Sequence, residues 1–141
     1  MSVTFTVTNT GLKRKLDLIS GFVGSGFFFG GLYTNTFSDL TTVNYAALTE
    51  PTFPGYSHQV QTSYGTSGGS SSTLASLSIA SVTFTCTSTF SPAQTITGGY
   101  IADTFPGTEV IAVVNLPGGP AVVSQPGDSI VLQCTITDQR A

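Results

Sequence analysis

The chain has 141 residues, of which only 8% are charged and 40% are hydrophobic. It contains 23 threonines and 17 serines, so hydroxyl side chains replace most of the charged ones that a soluble protein usually has. Both residue types are tolerated in strands. This composition excludes a helical bundle or coiled coil, which needs many Ala, Glu, Lys, Leu and Arg residues. Ten phenylalanines, five tyrosines and a mean hydropathy of +0.27 argue against disorder. The net charge of −3 argues against nucleic acid as a partner.

Alternation of apolar and polar residues with a period of two dominates the chain, and this period is typical of half-buried strands. One short helix is expected between a cap at Asn9 or Thr10 and a stop at Gly21. Pro-Gly pairs separate the later strands, as turn chemistry requires. The predicted strands cover residues 3–7, 28–33, 56–64, 81–87, 99–102, 109–116 and 130–137.

These elements predict a mainly β protein, an antiparallel β-sandwich or jelly-roll-like fold with one short N-terminal helix. We expect a single domain over residues 1–141, with a strand-and-helix arm at 1–26 and the sandwich body at 27–141. A glycine- and serine-rich stretch at 65–73 is predicted to be a flexible loop. The longest apolar stretch, residues 21–32, is too short and glycine-rich to cross a bilayer, so we expect no membrane contact.

Catalytic and cofactor motifs are weak. Ser67 lies in a glycine-rich run, but the only histidine, His58, precedes it by nine residues on a predicted strand, which does not suit a serine protease triad. Residues 21–26 hold glycines in the wrong order for a dinucleotide-binding loop. The sequence therefore predicts no enzyme and no cofactor.

Metal ligands are similarly sparse. Cys86 and Cys134 lack the paired spacing of zinc sites, and both fall on apolar strand faces. Buried free thiols are the favoured interpretation; a disulfide remains open if their strands are neighbours. Asp103 and Glu109 flank a predicted turn, where surface charges that protect a hairpin edge are favoured over a calcium or acid–base site.

Three of the four basic residues are consecutive. Lys13, Arg14 and Lys15 precede all seven acidic residues, which makes a basic handle on an acidic body. A solvated helix face is the simpler explanation, and docking of an acidic partner is the alternative. We expect the arm to reach a neighbouring subunit or the surface of the partner on which the protein docks.

A run of three phenylalanines cannot face one side of a sheet. Phe27, Phe28 and Phe29 require either a strand that is covered on both faces or a ring that contacts another chain. We therefore take these rings, with the basic handle, as candidate partner-binding residues.

The order of several segments resembles small virion structural proteins of tailed bacteriophages, most closely capsid cement (decoration) proteins. The segments that carry the resemblance are VTNTGL at 7–12, LYTNT at 32–36, LTEPTFPGY at 48–56, VTFT at 82–85, GY at 99–100 and QPGDSIVL at 125–132. The sparse charge agrees with a protein locked into an assembly.

The resemblance implies a β-rich protein without an enzymatic site that binds between major capsid proteins and stabilises the head shell. It further implies a homo-oligomer, most often a trimer, on the capsid exterior of a virion assembled in the host cytoplasm. A tail or fibre-adaptor component that contacts a host receptor is the alternative.

Overall fold

The structure is a computed structural model that describes the backbone of residues 6–7, 28–61, 74–102 and 110–139, and the side chains of 30–59, 81–102 and 110–133. It confirms a mainly β fold of antiparallel sheets. The strands are β1 (Thr6–Val7), β2 (Phe28–Tyr33), β3 (Gln59–Gln61), β4 (Leu74–Thr85), β5 (Gln94–Ile96), β6 (Gly98–Ala102), β7 (Val110–Asn115), β8 (Ala121–Val123) and β9 (Ser129–Gln139).

Helical structure within the described residues is confined to two 3₁₀ turns. They span Leu40–Thr42 and Tyr45–Ala47, and Asp39 and Asn44 cap them with side-chain oxygens. None of the described helices is long and apolar enough to span a membrane. The predicted N-terminal helix, the glycine-rich loop at 65–73 and the pair Asp103 and Glu109 lie outside the described residues.

The largest sheet has the strand order β1-β7-β6-β2-β3. Its first strand belongs to the predicted N-terminal arm: Thr6 lies opposite Val113 of the same chain, so this part of the arm extends the chain's own sheet. Two further sheets have two strands each, β4-β9 and β5-β8. The β5 and β6 strands are separated only by Thr97, whose amide donates to the carbonyl of Tyr33.

The β2 and β6 strands contain glycines, which usually weaken a strand, but here two of these glycines lie opposite tyrosines of the neighbouring strand. Gly31 lies opposite Tyr100, and Tyr33 lies opposite Gly98. A Cβ at either glycine would fall against the ring of the tyrosine opposite. Each aromatic ring therefore covers the bare backbone of the neighbouring strand, which protects a weak glycine position.

The β4 and β9 strands form a long ribbon whose register is corrected by a bulge. On β4, the apolar positions follow a period of two up to Ile79 and resume at Val82, one residue out of phase. The bulge lies between these two residues, so that Ile79 meets Cys134 and Val82 meets Leu132. Without this extra residue, one half of the strand would turn its apolar side chains to the opposite face.

The large sheet has a core on each face. On one face, side chains of the ribbon and of the β5-β8 sheet pack with Leu32 and Phe53. On the other face, the segment that contains the two 3₁₀ turns covers Tyr33 and Tyr100 with partly buried apolar side chains. The core members facing the ribbon are Leu32, Phe53, Val82, Phe84, Cys86, Ile96, Val123, Ile130 and Leu132; those of the second core are Tyr33, Val43, Tyr100, Ala102, Val110 and Val113.

Candidate functional site

Five polar or aromatic side chains converge beside the large sheet, and we refer to them as the Glu50 cluster. The cluster consists of Tyr45 from the second 3₁₀ turn, Glu50, Tyr56 and His58 from the segment that leads to β3, and Tyr100 from β6. Glu50 and Tyr100 are fifty residues apart in sequence, so only the tertiary fold brings them together.

The carboxylate of Glu50 is the centre of the cluster. Its Oε1 accepts a hydrogen bond of 2.9 Å from the Tyr56 hydroxyl and a short one from the Tyr100 hydroxyl. The His58 Nε2 atom lies 2.5 Å from the same oxygen. The Tyr45 hydroxyl lies 3.5 Å from Glu50 Oε2 and 3.5 Å from His58 Nε2. Glu50 and His58 are 25% and 20% exposed, so this pair lies at the edge of the core.

Tyr56 also completes the backbone pairing of β2. The β3 strand runs beside β2 only as far as Gly30, which lies opposite Gln59. Beyond that point the Leu32 amide has no strand opposite on that side, and it donates 3.1 Å to the Tyr56 hydroxyl. The Thr34 amide continues the row by donating to the carbonyl of Thr49. Since a buried amide without a partner is costly, Tyr56 stabilises this edge of the sheet.

Ring contacts hold the same side chains in place. Tyr45 meets Tyr100 edge to face with ring centroids 5.9 Å apart, and His58 meets Tyr56 at 6.0 Å and Tyr100 at 6.5 Å. Tyr56 also stacks on Phe84 at 5.7 Å, which connects the cluster to the ribbon core. Such pairs prefer offset or edge-on geometry, as seen here.

The phenols of the cluster are held in their neutral form. Burial raises the pKa of Tyr56 and of Tyr100, and the nearby Glu50 carboxylate raises both further. The pKa of Tyr45 is raised for the same two reasons. A neutral phenol donates a hydrogen bond, so the low-polarity setting and the carboxylate favour the same hydrogen-bonded state.

The Oε1 atom of Glu50 is fully engaged by its neighbours. It already has three partners, and a carboxylate oxygen offers about two lone-pair directions. No buried side-chain nitrogen or oxygen in the described part lacks a partner. The described residues contain no group of three His, Cys, Asp or Glu that could hold a metal ion. Through its hydrogen bonds to the Leu32 amide of β2 and to Tyr100 of β6, the Glu50 cluster is a latch that binds the 45–58 segment to both strands.

The side chains of the predicted partner-binding residues lie outside the described part of the structure. Lys13, Arg14, Lys15 and Phe27 lie outside the described residues. For Phe28 and Phe29 the backbone alone is described: they lie opposite Gln61 and Val60, and Phe29 also lies opposite Ala102. Phe29 thus lies in a strand paired on both sides, while the positions of the three rings stay a prediction.

Cys86 is a buried free thiol, as predicted, and its Sγ donates to the Ser88 carbonyl at 3.0 Å. Its amide donates to the Asp128 carbonyl, whereas Cys134 lies six residues further along β9, opposite Ile79. Six strand residues span about 20 Å, and a disulfide needs Cα atoms within about 7 Å. The two strands are neighbours, but their register separates the two cysteines.

The predicted strand at 56–64 includes Tyr56 and His58, but β3 begins only at Gln59, and the sequence did not predict Glu50 and Tyr100 as their partners. The available signal was the single histidine two residues after a tyrosine, with a glutamate nearby in an otherwise charge-poor chain. Comparisons with protein-family models, with characterised proteins and with solved structures found no match to this chain.

Proposed function

We propose that this chain is a structural protein of a bacteriophage virion, a capsid cement protein that binds between major capsid proteins and stabilises the head shell. The observation that carries the proposal is the charge-poor surface of the folded body. Across residues 30–59, 81–102 and 110–133, the chain holds three carboxylates and no lysine or arginine.

All three carboxylates have structural partners. Glu50 is the centre of its cluster, and Asp39 caps the first 3₁₀ turn. Asp128 accepts hydrogen bonds of 2.8 Å from the amides of both Ser124 and Gln125. Hydrogen bonds hold the pKa of Asp39 and of Asp128 below its usual range. Each carboxylate thus stabilises a local turn or contact of the body itself.

The outer face of the ribbon illustrates the surface that remains. Thr83, Thr85, Val131 and Gln133 are exposed there, and Val131 is 54% exposed. On β8, Val122 is 62% exposed. These exposed side chains offer hydroxyl, amide and methyl groups and carry no charge.

Such a surface suits a protein that works inside an assembly. A free soluble protein usually carries charges on about 25–35% of its surface. Hydroxyl groups can be buried in a contact with less desolvation than charges, provided that they find hydrogen-bond partners. A ligand that binds only the assembled shell stabilises that shell by mass action. The resemblance in sequence order to cement proteins supports the same assignment.

The basic handle provides the test, because it is the one concentrated charge of opposite sign to the body. We expect reversal of Lys13, Arg14 and Lys15 to Glu to lower the occupancy of the protein on capsids, with the larger loss at low salt. Stripped capsids are incubated with each variant across a salt series and sedimented. The control is Arg140→Glu, which reverses the one basic residue outside the handle.

Equal occupancy of the triple variant, the control and the wild type at every salt concentration would contradict a docking role for the handle. Failure of the wild-type protein to sediment with stripped capsids would contradict the proposed function itself. Circular dichroism of each variant establishes that the fold is intact.

A further inference from the structure

The outer edge of β9 is a feature of the fold to which the proposed capsid function assigns no role. The β9 strand has eleven residues, Ser129–Gln139, and pairs with β4 along one side. Within the described residues, no strand pairs with its other side. In an antiparallel pair, every second residue directs its amide and carbonyl away from the partner strand, so an edge strand offers a row of hydrogen-bonding groups.

The two edges of the ribbon differ in protection. At β4, the amide of Thr87 donates to the Pro54 carbonyl, and Gly55 lies against the Thr85 carbonyl, so the end of this edge is covered. The β4 strand also contains the bulge, a device that discourages edge pairing. By contrast, the β9 strand contains no bulge and no proline, and its residues 129–137 include no charged residue.

Alternation along the ribbon identifies the groups that face outward from β9. The Cys86 amide donates to the Asp128 carbonyl, so these two residues face each other as a hydrogen-bonded pair. Hydrogen-bonded and non-hydrogen-bonded pairs alternate along an antiparallel ribbon. The Thr83–Val131 pair lies three pairs further on and is therefore a non-hydrogen-bonded pair. The amide and carbonyl of Val131 therefore point away from β4, and those of Gln133 follow two residues later. Both side chains are exposed.

We propose that the outer edge of β9 pairs antiparallel with the same edge of a second copy of this chain. Two arguments select a second copy. An antiparallel pair of identical strands is related by a two-fold axis, so that one edge supplies both sides of the contact. The exposed side chains at this edge, Val131 and Gln133, are uncharged, so two acidic copies meet there without like charges opposed. The contact yields a two-fold dimer, whereas the resemblance implies a trimer.

The contact is tested with Val131→Lys, which places a like charge at the interface in both copies while the substituted side chain remains exposed in the monomer. Thr83→Lys is the matched control, because Thr83 is exposed on the same face, directly opposite Val131 on β4, one strand further from the proposed contact. Sedimentation equilibrium over a concentration series gives the dissociation constant for self-association.

The wild type and Thr83→Lys are expected to form dimers, and Val131→Lys to dissociate at least about tenfold more readily. Hydrogen exchange at the Val131 and Gln133 amides is expected to slow as the wild-type concentration rises. A wild type that stays monomeric, or a Val131→Lys variant that dimerises as the wild type does, would overturn the proposal. Protection of these amides that is independent of concentration would also overturn it, since a segment of the same chain would then occupy the edge. A wild-type dimer that fails to bind capsids would contradict the proposed function alone.

Discussion

Replacing Glu50 by alanine removes the acceptor shared by Tyr56, Tyr100 and His58. A hydrogen bond to a charged group contributes about 1.5–3 kcal/mol, and a buried hydroxyl left without a partner costs about 1–3 kcal/mol. Tyr100 is fully buried, whereas Glu50 is one quarter exposed, which screens the charge and lowers the sum. We therefore expect Glu50→Ala to lower the free energy of unfolding by about 3 kcal/mol, measured by urea denaturation.

Glu50→Gln separates the charge from the hydrogen bonds. The amide oxygen of glutamine can still accept from Tyr56 and Tyr100, so we expect a loss of only about 1 kcal/mol. Asp39→Ala is the matched control, because it removes an exposed carboxylate that caps a single turn; its effect should be much smaller than that of Glu50→Ala. If Glu50→Ala unfolds at the same urea concentration as Asp39→Ala, the latch is not what binds the 45–58 segment to the sheet.

Three further measurements test other parts of the structure. Gly31→Ala should cost about 1–3 kcal/mol in urea denaturation, because its Cβ meets an aromatic ring, whereas Gly30→Ala, with 3.6 Å to the nearest atom, should be nearly neutral; equal effects would refute the ring-over-glycine pairing. Burial raises the pKa of Tyr33 to about 12 from its ordinary value of 10.0, so its contribution to stability is intact below pH 10 and is lost as pH rises towards 12. The folded wild type and Tyr33→Phe should therefore develop equal tyrosinate absorbance at pH 10, and a larger signal in the wild type would contradict the raised pKa. Thiol titration of the unfolded, unreduced protein should find two thiols, from Cys86 and Cys134; finding none would show a disulfide and contradict the register.

The strands were largely predictable, because alternation is a local property. The predicted strand at 130–137 lies within β9, and the almost continuously apolar run at 109–116 contains β7. The predicted strand at 81–87 covers only the last five residues of β4, which begins at Leu74. The bulge also left a trace, since the apolar period slips by one residue after Ile79. Glycine-rich β2 and β6 were harder, because only the opposing strand supplies the ring that makes glycine favourable there.

The Glu50 cluster was not predictable to the same degree. Glu50 lies in an irregular segment without hydrophobic period, and Tyr100 lies fifty residues away. Local patterning could place Tyr56 and His58 on one side of the chain, but only strand order brings β6 next to β2 and the 45–58 segment against both. Long-range pairing of this kind is set by the whole fold.

The location of the protein on a particle tests the central claim most directly. Under the proposed function, a bacteriophage carries this chain in its virions. Those virions are purified on a density gradient, labelled with gold-conjugated antibody against the protein and imaged by negative stain. A cement protein predicts many gold particles over the head of each virion, at the outer surface of the shell. Label confined to the tail, or absence of the chain from purified virions, would contradict the assignment.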